Sequence, residues 1–118
     1  MKEIEIPFSL PSLNDYIKAC KLNRFAGAKH KEEVQEDIGW YINKLPVFKK
    51  PIKIHFIWVE NKKQRDFDNV CFAKKYILDA MVNAGKIKDD NRNNVIGFTD
   101  EFVIEDERKV IMYIEEID

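Results

Sequence analysis

The sequence is poor in the residues that build zinc sites, disulfide frameworks and Ser/His/Asp triads. It has two cysteines, Cys20 and Cys71, and two histidines, His30 and His55, and the members of each pair lie far apart in the chain. Zinc sites and triads need clustered Cys or His side chains, so neither has strong support here. Any metal ion bound by this chain is therefore expected to have oxygen ligands.

Long apolar runs are also absent. No stretch approaches the roughly 20 apolar residues that span a bilayer. The N-terminus, MKEIEIPFSL, is too short and too acidic for a signal peptide. We therefore expect a cytoplasmic protein without a membrane partner. The 118 residues, 45% of them hydrophobic, fit one globular domain covering residues 1–118.

A strong net charge is the third absence, since the formal net charge is −1. That value hides an asymmetry. Residues 100–118 carry eight acidic and two basic side chains, so the rest of the chain carries +5. Segment 18–31 has no acid, and its five cations are Lys18, Lys21, Arg24, Lys29 and Lys31. Such a segment is usually a solvated face, and it becomes a candidate phosphate-binding surface only with a reason nearby.

The hydrophobic pattern predicts elements in the order βααβαββ. KEIEIPF alternates polar and apolar residues, which predicts a short strand ended by Pro7. Two helices follow, one capped by Ser12 or Asn14 and one over residues 29–45. PIKIHFIWVE (51–60) then predicts a central strand. We expect a small, compact α/β domain with a mixed or antiparallel sheet and packed helices.

The second half of the chain predicts one helix and two strands. Apolar residues in a single stripe predict a helix near residues 69–84, with Gly85 as its C-cap. After the loop GKIKDDNRNN, the segment VIGFTDEFVIEDERKVIMYIEE predicts two strands joined at EDER. Their period-2 pattern and short connection favour an antiparallel hairpin.

Four aspartates surround the predicted helix. Asp66 and Asp68 precede it in QRDFDN, and Asp89 and Asp90 follow it. Singly, each has an ordinary explanation as a helix cap (Asp68), an ion-pair partner of the preceding arginine (Asp66) or a loop acid. If tertiary folding brings the four together, they form a site for a hard cation, Mg²⁺ or Mn²⁺, of the kind that recurs in phosphodiester cleavage.

Lys75 is the cation that helical phase assigns to this site. At about 100° per residue it lies opposite the apolar stripe, on the same face as Asp68 and Asp79, whereas Lys74 flanks the stripe. An ammonium group beside carboxylates and a metal ion orients phosphate or stabilises a leaving oxygen. The alternative is an ordinary i,i+4 ion pair between Lys75 and Asp79 on a solvated helix face.

Residues 89–100, DDNRNNVIGFTD, also resemble a calcium-binding loop. Acids or amides occupy the first, third and fifth positions, and Asp100 is the twelfth residue. Three features depart from that pattern. Asn94 replaces the expected glycine, Asp100 replaces the bidentate glutamate, and a strand is predicted to follow where a helix is expected. A calcium-binding protein is therefore the weaker alternative.

Four stretches across most of the chain form a recognisable set: PSLNDY (11–16), RDFDN (65–69), KKYILDAM (74–81) and AGKIKDDNRNNV (84–95). Together, and in this order, they resemble the RusA family of Holliday-junction-resolving endodeoxyribonucleases, which are common in phages and prophages. The resemblance implies a small α/β domain that works as a homodimer and cleaves branched DNA with Mg²⁺, for which Mn²⁺ is a possible substitute.

The resemblance also implies roles for particular residues. Asp66, Asp68 and Asp90 correspond to the essential acidic site that would hold the metal ion, and Asp89 to a neighbouring acid. The interval from Asp68 to the catalytic lysine departs from the family pattern. Counting back four positions from the aspartate of DAM assigns that lysine to Lys75, with Lys74 in reserve.

The basic residues gain a reason to contact DNA from the same resemblance. Asn14 and the five cations of segment 18–31 fall where the family has an adaptable DNA-binding loop. Lys62, Lys63 and Arg65 flank the acids, and Lys74 lies beside Lys75, so they are expected to contact DNA as well. Phosphate contacts position DNA without reading its bases, so such residues favour junction shape over sequence.

We therefore expect a homodimeric, Mg²⁺-dependent endonuclease that nicks opposing strands of a four-way junction in DNA recombination and repair. Two copies of one site suit the two-fold character of a junction. One alternative is a protein that binds junction DNA without cutting it, for which independence from Mg²⁺ is the indicator. The other is the calcium-loop protein, whose ion binding would depend on Asn91, Asn93 and Asp100.

Overall fold

The computed structural model describes all 118 residues, which form four strands and four helices. The predicted order of elements is confirmed, except that two helices replace the single one expected before the last two strands. None of the helices combines the length and the apolar character that crossing a bilayer requires. The elements in chain order are β1 (Lys2–Ile6), α1 (Leu13–Leu22), α2 (Ala26–Ile42), β2 (Ile52–Glu60), α3 (Phe67–Cys71), α4 (Lys74–Asn83), β3 (Val95–Ile104) and β4 (Lys109–Glu116).

The four strands form one mixed sheet in the order β1-β4-β2-β3. β4 pairs antiparallel with both β1 and β2, and β3 pairs parallel with β2. Inward side chains from every strand join helical side chains in one core of 24 buried residues. Alternate positions on the other face of the sheet, such as Glu3, Lys53 and Glu115, are exposed. The predicted compact α/β domain with a mixed sheet and packed helices is confirmed.

Strand β2 lies at the centre of the sheet, as the sequence predicts. Ile52, Ile54, Phe56 and Trp58 point toward the helices and are almost fully buried. The strand pairs with β3 on one side and β4 on the other, so the sheet satisfies the hydrogen-bonding groups of its backbone. Its carboxyl end, from Trp58 to Glu60, is buried on both faces and leads directly to the predicted acidic site.

The last two strands do not form the predicted hairpin. β2 lies between them, and residues 105–108 cross its end, where the Glu105 N–H donates to the carbonyl oxygen of Glu60 at 2.9 Å. Strands that flank a common neighbour lie roughly 10 Å apart, and four extended residues span that distance. The four residues EDER are therefore long enough for a connection across the end of β2 as well as for a hairpin. The hairpin prediction was wrong because both strands pair with β2, the most buried strand of the sheet.

The predicted single helix over residues 69–84 was also wrong, since it is divided into α3 and α4. Between them, the amide groups of Ala73, Lys75 and Tyr76 each donate to a carbonyl oxygen three residues back. This is the tighter 3₁₀ geometry, which turns each residue by about 120° instead of about 100°. Because the helical phase changes here, the argument that placed Lys75 on the face of Asp68 does not apply.

Helix α4 ends at Asn83 with Ala84 as its C-cap, and Gly85, which the sequence predicts as the cap, is the next residue. Gly85 has a φ of +71°, and its N–H donates to the carbonyl oxygen of Val82 at 3.0 Å, while the Lys86 N–H donates to Met81 at 2.9 Å. These two bonds form a Schellman motif, which favours glycine because side chains are strained at positive φ. The chain turns here toward the Asp89–Asp90 pair.

Tyr76 of α4 belongs to a cluster of rings that includes side chains of α1 and α2. It is fully buried and packs edge-on against Phe72 and His30, and Tyr16 of α1 packs against those same two rings. The Tyr76 hydroxyl lies 3.0 Å from His30 Nε2, and burial raises the pKa of Tyr76 to about 12. His30 therefore contributes to the contact between α2 and α4.

Helices α1 and α2 approach closely where Cys20 faces Gly27. A Cβ atom at position 27 would lie 2.4 Å from Cys20 Sγ, whereas one at Gly39 of the same helix would meet nothing within 4 Å. Gly27 is buried. The contact lies inside the basic segment 18–31, so it sets how the two helical parts of that segment are placed.

Alanine substitutions at the two glycines of α2 are expected to change the free energy of unfolding differently. Gly39→Ala is expected to stabilise the protein by about 0.5–1 kcal/mol, because alanine has the higher helix propensity and meets no neighbour. Gly27→Ala is expected to give no such gain, because its methyl group displaces Cys20 Sγ. Equilibrium unfolding in urea measures both effects.

The Cys20→Ala background is the control, because it removes the sulfur atom. In that background, Gly27→Ala is expected to recover most of the stabilisation seen at Gly39. Equal stabilisation by Gly27→Ala in the wild-type and Cys20→Ala backgrounds would show that the contact with Cys20 does not limit position 27.

Candidate functional site

Asp66 and Asp68 flank the start of α3 with carboxylates that have no partner. Asp66 is the N-cap residue, yet its side chain makes no capping hydrogen bond, and Asp68 lies in the first turn. Both residues are exposed, and neither carboxylate takes part in a hydrogen bond or an ion pair. The ordinary explanations, a cap by Asp68 and a pair between Asp66 and Arg65, are therefore not realised.

Arg65, which was predicted to contact DNA, is held by groups of the protein. Its Nη1 donates to Glu60 Oε1 at 2.7 Å, and its Nη2 donates to the carbonyl oxygen of Leu10 at 2.9 Å. Glu60 is only 8% exposed, and its second oxygen lies 3.5 Å from Arg108 Nε. A buried carboxylate needs such partners to offset its lost hydration. Arg65 therefore fixes where α3 begins.

A hydrogen bond joins the PSLNDY stretch to the RDFDN stretch, because the Asn14 N–H donates to Asn69 Oδ1 at 2.9 Å. Helix α1 begins with a capping box between Ser12 and Asp15, so Ser12, and not Asn14, is the cap. Asn69 was not among the predicted site residues, although its position directly after Asp68 was a signal. It holds the start of α1 beside α3.

Lys74, at the start of α4, and Asp100 of β3 form a partly buried ion pair. Lys74 Nζ lies 2.7 Å from Asp100 Oδ2, and Trp58 Nε1 donates to Asp100 Oδ1 at 2.8 Å. The ammonium group also lies 4.8 Å from the ring centroid of Phe98, a cation–π contact. Lys74 is therefore directed into the protein, and its side chain is only 17% exposed.

The calcium-loop hypothesis does not agree with this geometry. Val95–Ile104 is strand β3, so the second half of the twelve-residue segment is extended and does not wrap around an ion. Both oxygens of Asp100, the twelfth residue, are bonded to Lys74 and Trp58. A calcium loop requires ligands from its first and last positions to meet at one point.

Lys75 lies at the centre of a charged row that joins α2, α4 and the following loop. Its Nζ lies 3.1 Å from Asp79 Oδ1 and 3.1 Å from Asp90 Oδ2. Lys31 of α2 contacts the other oxygen of Asp79 at 2.7 Å. The i,i+4 pair weighed above as the ordinary alternative is therefore present. The same lysine also meets Asp90, one of the acids implied by the RusA resemblance.

These contacts shift the pKa of both partners. Hydrogen bonds to Asp79 and then to Asp90 raise the pKa of Lys75. The hydrogen bond from Lys75 lowers the pKa of Asp90. Both groups therefore stay charged over the neutral range of pH, and their attraction persists there.

Asp89 organises its own loop. Its Oδ1 accepts a hydrogen bond from the Asp90 N–H at 2.8 Å, and its Oδ2 accepts one from Asn91 Nδ2 at 3.2 Å. These bonds hold the backbone in the turn from which the Asp90 side chain reaches Lys75. Asp89 therefore supports Asp90, and its own oxygens are already hydrogen-bonded.

The four predicted metal ligands do not converge on one point. Carboxylate oxygens are a suitable donor type for Mg²⁺, but no group of three or more Asp, Glu, His or Cys side chains is close enough to hold a metal ion. Asp66 lines a cavity of about 600 Å³, whereas Asp89 and Asp90 line another of about 340 Å³. The Lys75 ammonium occupies the position beside Asp90. The residues as placed do not fit a bound metal ion.

The predicted DNA-binding cations fall into two groups. Three of them are paired with acids of the protein, as described above: Lys31, Arg65 and Lys74. Six are exposed and take part in no ion pair: Lys18, Lys21, Arg24, Lys29, Lys62 and Lys63. The second group is free to contact phosphates.

A comparison of the chain with models of known protein families finds no match, and neither does a comparison with curated protein sequences. The resemblance to the RusA family therefore depends on the four stretches themselves and stays a hypothesis.

Asp79→Asn is expected to lower the pKa of Lys75 toward its ordinary value, because the bond to Asp79 is the main cause of the increase. The pH dependence of Lys75 acylation by an amine-specific reagent, followed by mass spectrometry, measures this pKa. Because the folded-state pKa is raised, the pair stabilises the fold fully below the unfolded value of about 10.4. That stabilisation is lost as pH rises through the folded value.

Asp37→Asn is the matched control, since Asp37 is an exposed acid of α2. It is expected to leave the pKa of Lys75 unchanged. An unchanged pKa in Asp79→Asn as well would contradict the contact between Lys75 and Asp79.

Proposed function

We propose that the protein is an endodeoxyribonuclease of DNA recombination and repair that cuts branched DNA, with four-way junctions as its substrate. The proposal is carried by contacts between different stretches of the chain. Lys75 meets Asp90 at 3.1 Å, and Asn14 meets Asn69 at 2.9 Å. All four stretches that resemble the RusA family take part in these two contacts, which lie near the starts of α3 and α4.

Asp66 and Asp68 are the carboxylates proposed to act at the phosphodiester, because they are exposed and have no partner within the protein. Asp90 is proposed to act with Lys75. The Lys75 side chain is 49% exposed, so its ammonium group is accessible to a phosphate oxygen. In that position it would stabilise the charge that develops on the leaving oxygen.

Mg²⁺, with Mn²⁺ as a substitute, enters the proposal through the family resemblance. The oxygen donors are of the right type, but they do not converge in the protein alone. We propose that cleavage requires the added ion, and the metal-dependent cleavage assay tests this.

The exposed cations support DNA as the partner. The four unpaired ones in segment 18–31, together with Lys62 and Lys63, present exposed positive charge in the part of the chain that precedes Asp66 and Asp68. Contacts of this kind fix the position of the phosphate backbone without reading bases. A homodimer is proposed because two copies of one site match the two strands that must be nicked in a two-fold junction.

A junction-binding protein that does not cut is the second candidate. The observation that favours it is the dispersal of the acids: Asp66 and Asp90 line different cavities, and Lys75 already neutralises Asp90. Such a protein would need the exposed cations but not the carboxylates of Asp66 and Asp68.

Cleavage of a labelled four-way junction and a matched linear duplex, with Mg²⁺, Mn²⁺ or EDTA, tests the proposal. The wild-type protein is expected to make symmetric nicks in the junction alone, and only with a metal ion. Asp68→Asn is expected to abolish cleavage and to keep or tighten junction binding, because it removes negative charge near the phosphates. Lys75→Ala is expected to slow cleavage by about 100- to 1,000-fold.

Two further variants make the result specific. Asp37→Asn is expected to cleave like the wild-type protein. Lys74→Ala is compared with Lys75→Ala to distinguish the two candidate lysines, and Lys75→Ala is expected to show the larger loss of the cleavage rate. Binding without cleavage under every condition, including Mn²⁺, would support the non-cutting protein. Loss of binding together with cleavage in Asp68→Asn would mean that this residue is structural.

A further inference from the structure

Phe67 presents an aromatic face to solvent between the two unpartnered acids. It is 67% exposed, and its ring stacks on Phe102 of β3, with the ring centroids 4.1 Å apart and the planes inclined by 16°. Phe102 is partly buried and packs against the core. One face of the Phe67 ring is therefore supported by the sheet, and the other is open.

The stacked rings border the cavity of about 600 Å³ that Asp66 also lines. Lys62 and Lys63 lie along the same cavity, and both are exposed and take part in no ion pair. Surfaces that bind unpaired nucleotides combine an aromatic face, on which a base stacks, with cations that contact the backbone. The cavity brings these two features together.

The fold does not require an aromatic side chain at position 67. Helix α3 is anchored through Val70, its buried residue, while most of Phe67 is in water. An exposed phenyl ring does not contribute the stabilisation of the fold that a buried one provides. A ligand with a flat base and a negatively charged backbone would cover the ring and pair with both lysines.

We propose that Phe67 is a stacking platform for an unpaired nucleobase at the branch point of DNA, with Lys62 and Lys63 holding the adjoining phosphates. This inference depends on the proposed function and adds to it a means of recognising branched substrates. Bases inside a linear duplex are stacked on both faces, whereas an unpaired base at a branch point has an exposed face on which an aromatic ring can stack. Stacking tolerates any base, so the platform selects shape over sequence.

A double-mutant cycle between protein and DNA tests the platform. Binding of the full chain is measured in EDTA, so that no strand is cut. The two probes are a four-way junction with one unpaired thymidine at the branch point and the same junction with an abasic site there. The wild-type protein is expected to bind the thymidine junction about tenfold more tightly. Phe67→Ala is expected to lose that factor and to bind both junctions equally.

Three further variants control for fold, bulk and charge. Phe67→Leu keeps an apolar side chain without a flat ring and is expected to behave like Phe67→Ala. Trp40→Ala removes an aromatic residue of similar exposure, 64%, from α2 and is expected to bind both junctions like the wild-type protein. Lys62→Ala is expected to reduce the salt dependence of binding, which Phe67→Ala leaves unchanged.

Equal wild-type affinities for the two junctions, or no binding to either, would overturn the platform. A lower mass of Phe67→Ala than of the wild-type protein in sedimentation would show that this face is a contact between copies of the chain. That result would also overturn the stacking platform. The cleavage assay separates the two proposals. If Phe67→Ala loses the preference for the thymidine junction but no protein cuts DNA, the stacking platform is supported and the nuclease proposal is rejected. If the wild-type protein cuts DNA but binds both junctions equally, the nuclease proposal is supported and the platform is rejected.

Discussion

The ion pair between Glu60 and Arg65 is the contact on which the placement of the site depends. Glu60 ends the central strand and is nearly buried, so its charge requires partners, and Arg65 and Arg108 provide them. Arg65 also donates to the carbonyl oxygen of Leu10, just before α1. One buried charge therefore connects the end of β2, the approach to α1, the turn before β4 and the start of α3, where the unpartnered aspartates lie.

Two adjacent lysines of α4 have different partners because successive residues of a helix point about 100° apart. Lys74 is directed inward to Asp100, whereas Lys75 is directed outward to Asp79 and Asp90. Carboxylates of the protein thus neutralise both ammonium groups, so a DNA phosphate that binds either lysine must replace an existing contact. The exposed lysines before α3 have no such competition. In the proposed nuclease, these exposed lysines would therefore provide the first electrostatic attraction of DNA, and the lysines of α4 would contact it only after binding.

Most elements were predictable because strand and helix periods come from the backbone itself. The alternation in KEIEIPF and PIKIHFIWVE indicated β1 and β2, and Gly85 marked the end of α4. The hairpin and the single helix over residues 69–84 were wrong for a different reason. Strand order depends on which strands bury the most surface together. The 3₁₀ turn lies beside a ring cluster in which Tyr76 packs against Phe72 and His30, and Tyr16 of α1 packs against the same two rings. No local window of sequence contains that condition.

The sequence by itself determined the chemistry available to this protein: acids, lysines and amides in four motifs, with very few thiols or imidazoles. Only the tertiary structure decided which of these groups meet. It left Asp66 and Asp68 without partners, bound Arg65 to Glu60 and joined Trp58 to Asp100, 42 positions away. The physical reason is that local periodicity specifies which face of an element is buried. Contacts between distant side chains depend instead on strand order and helix packing.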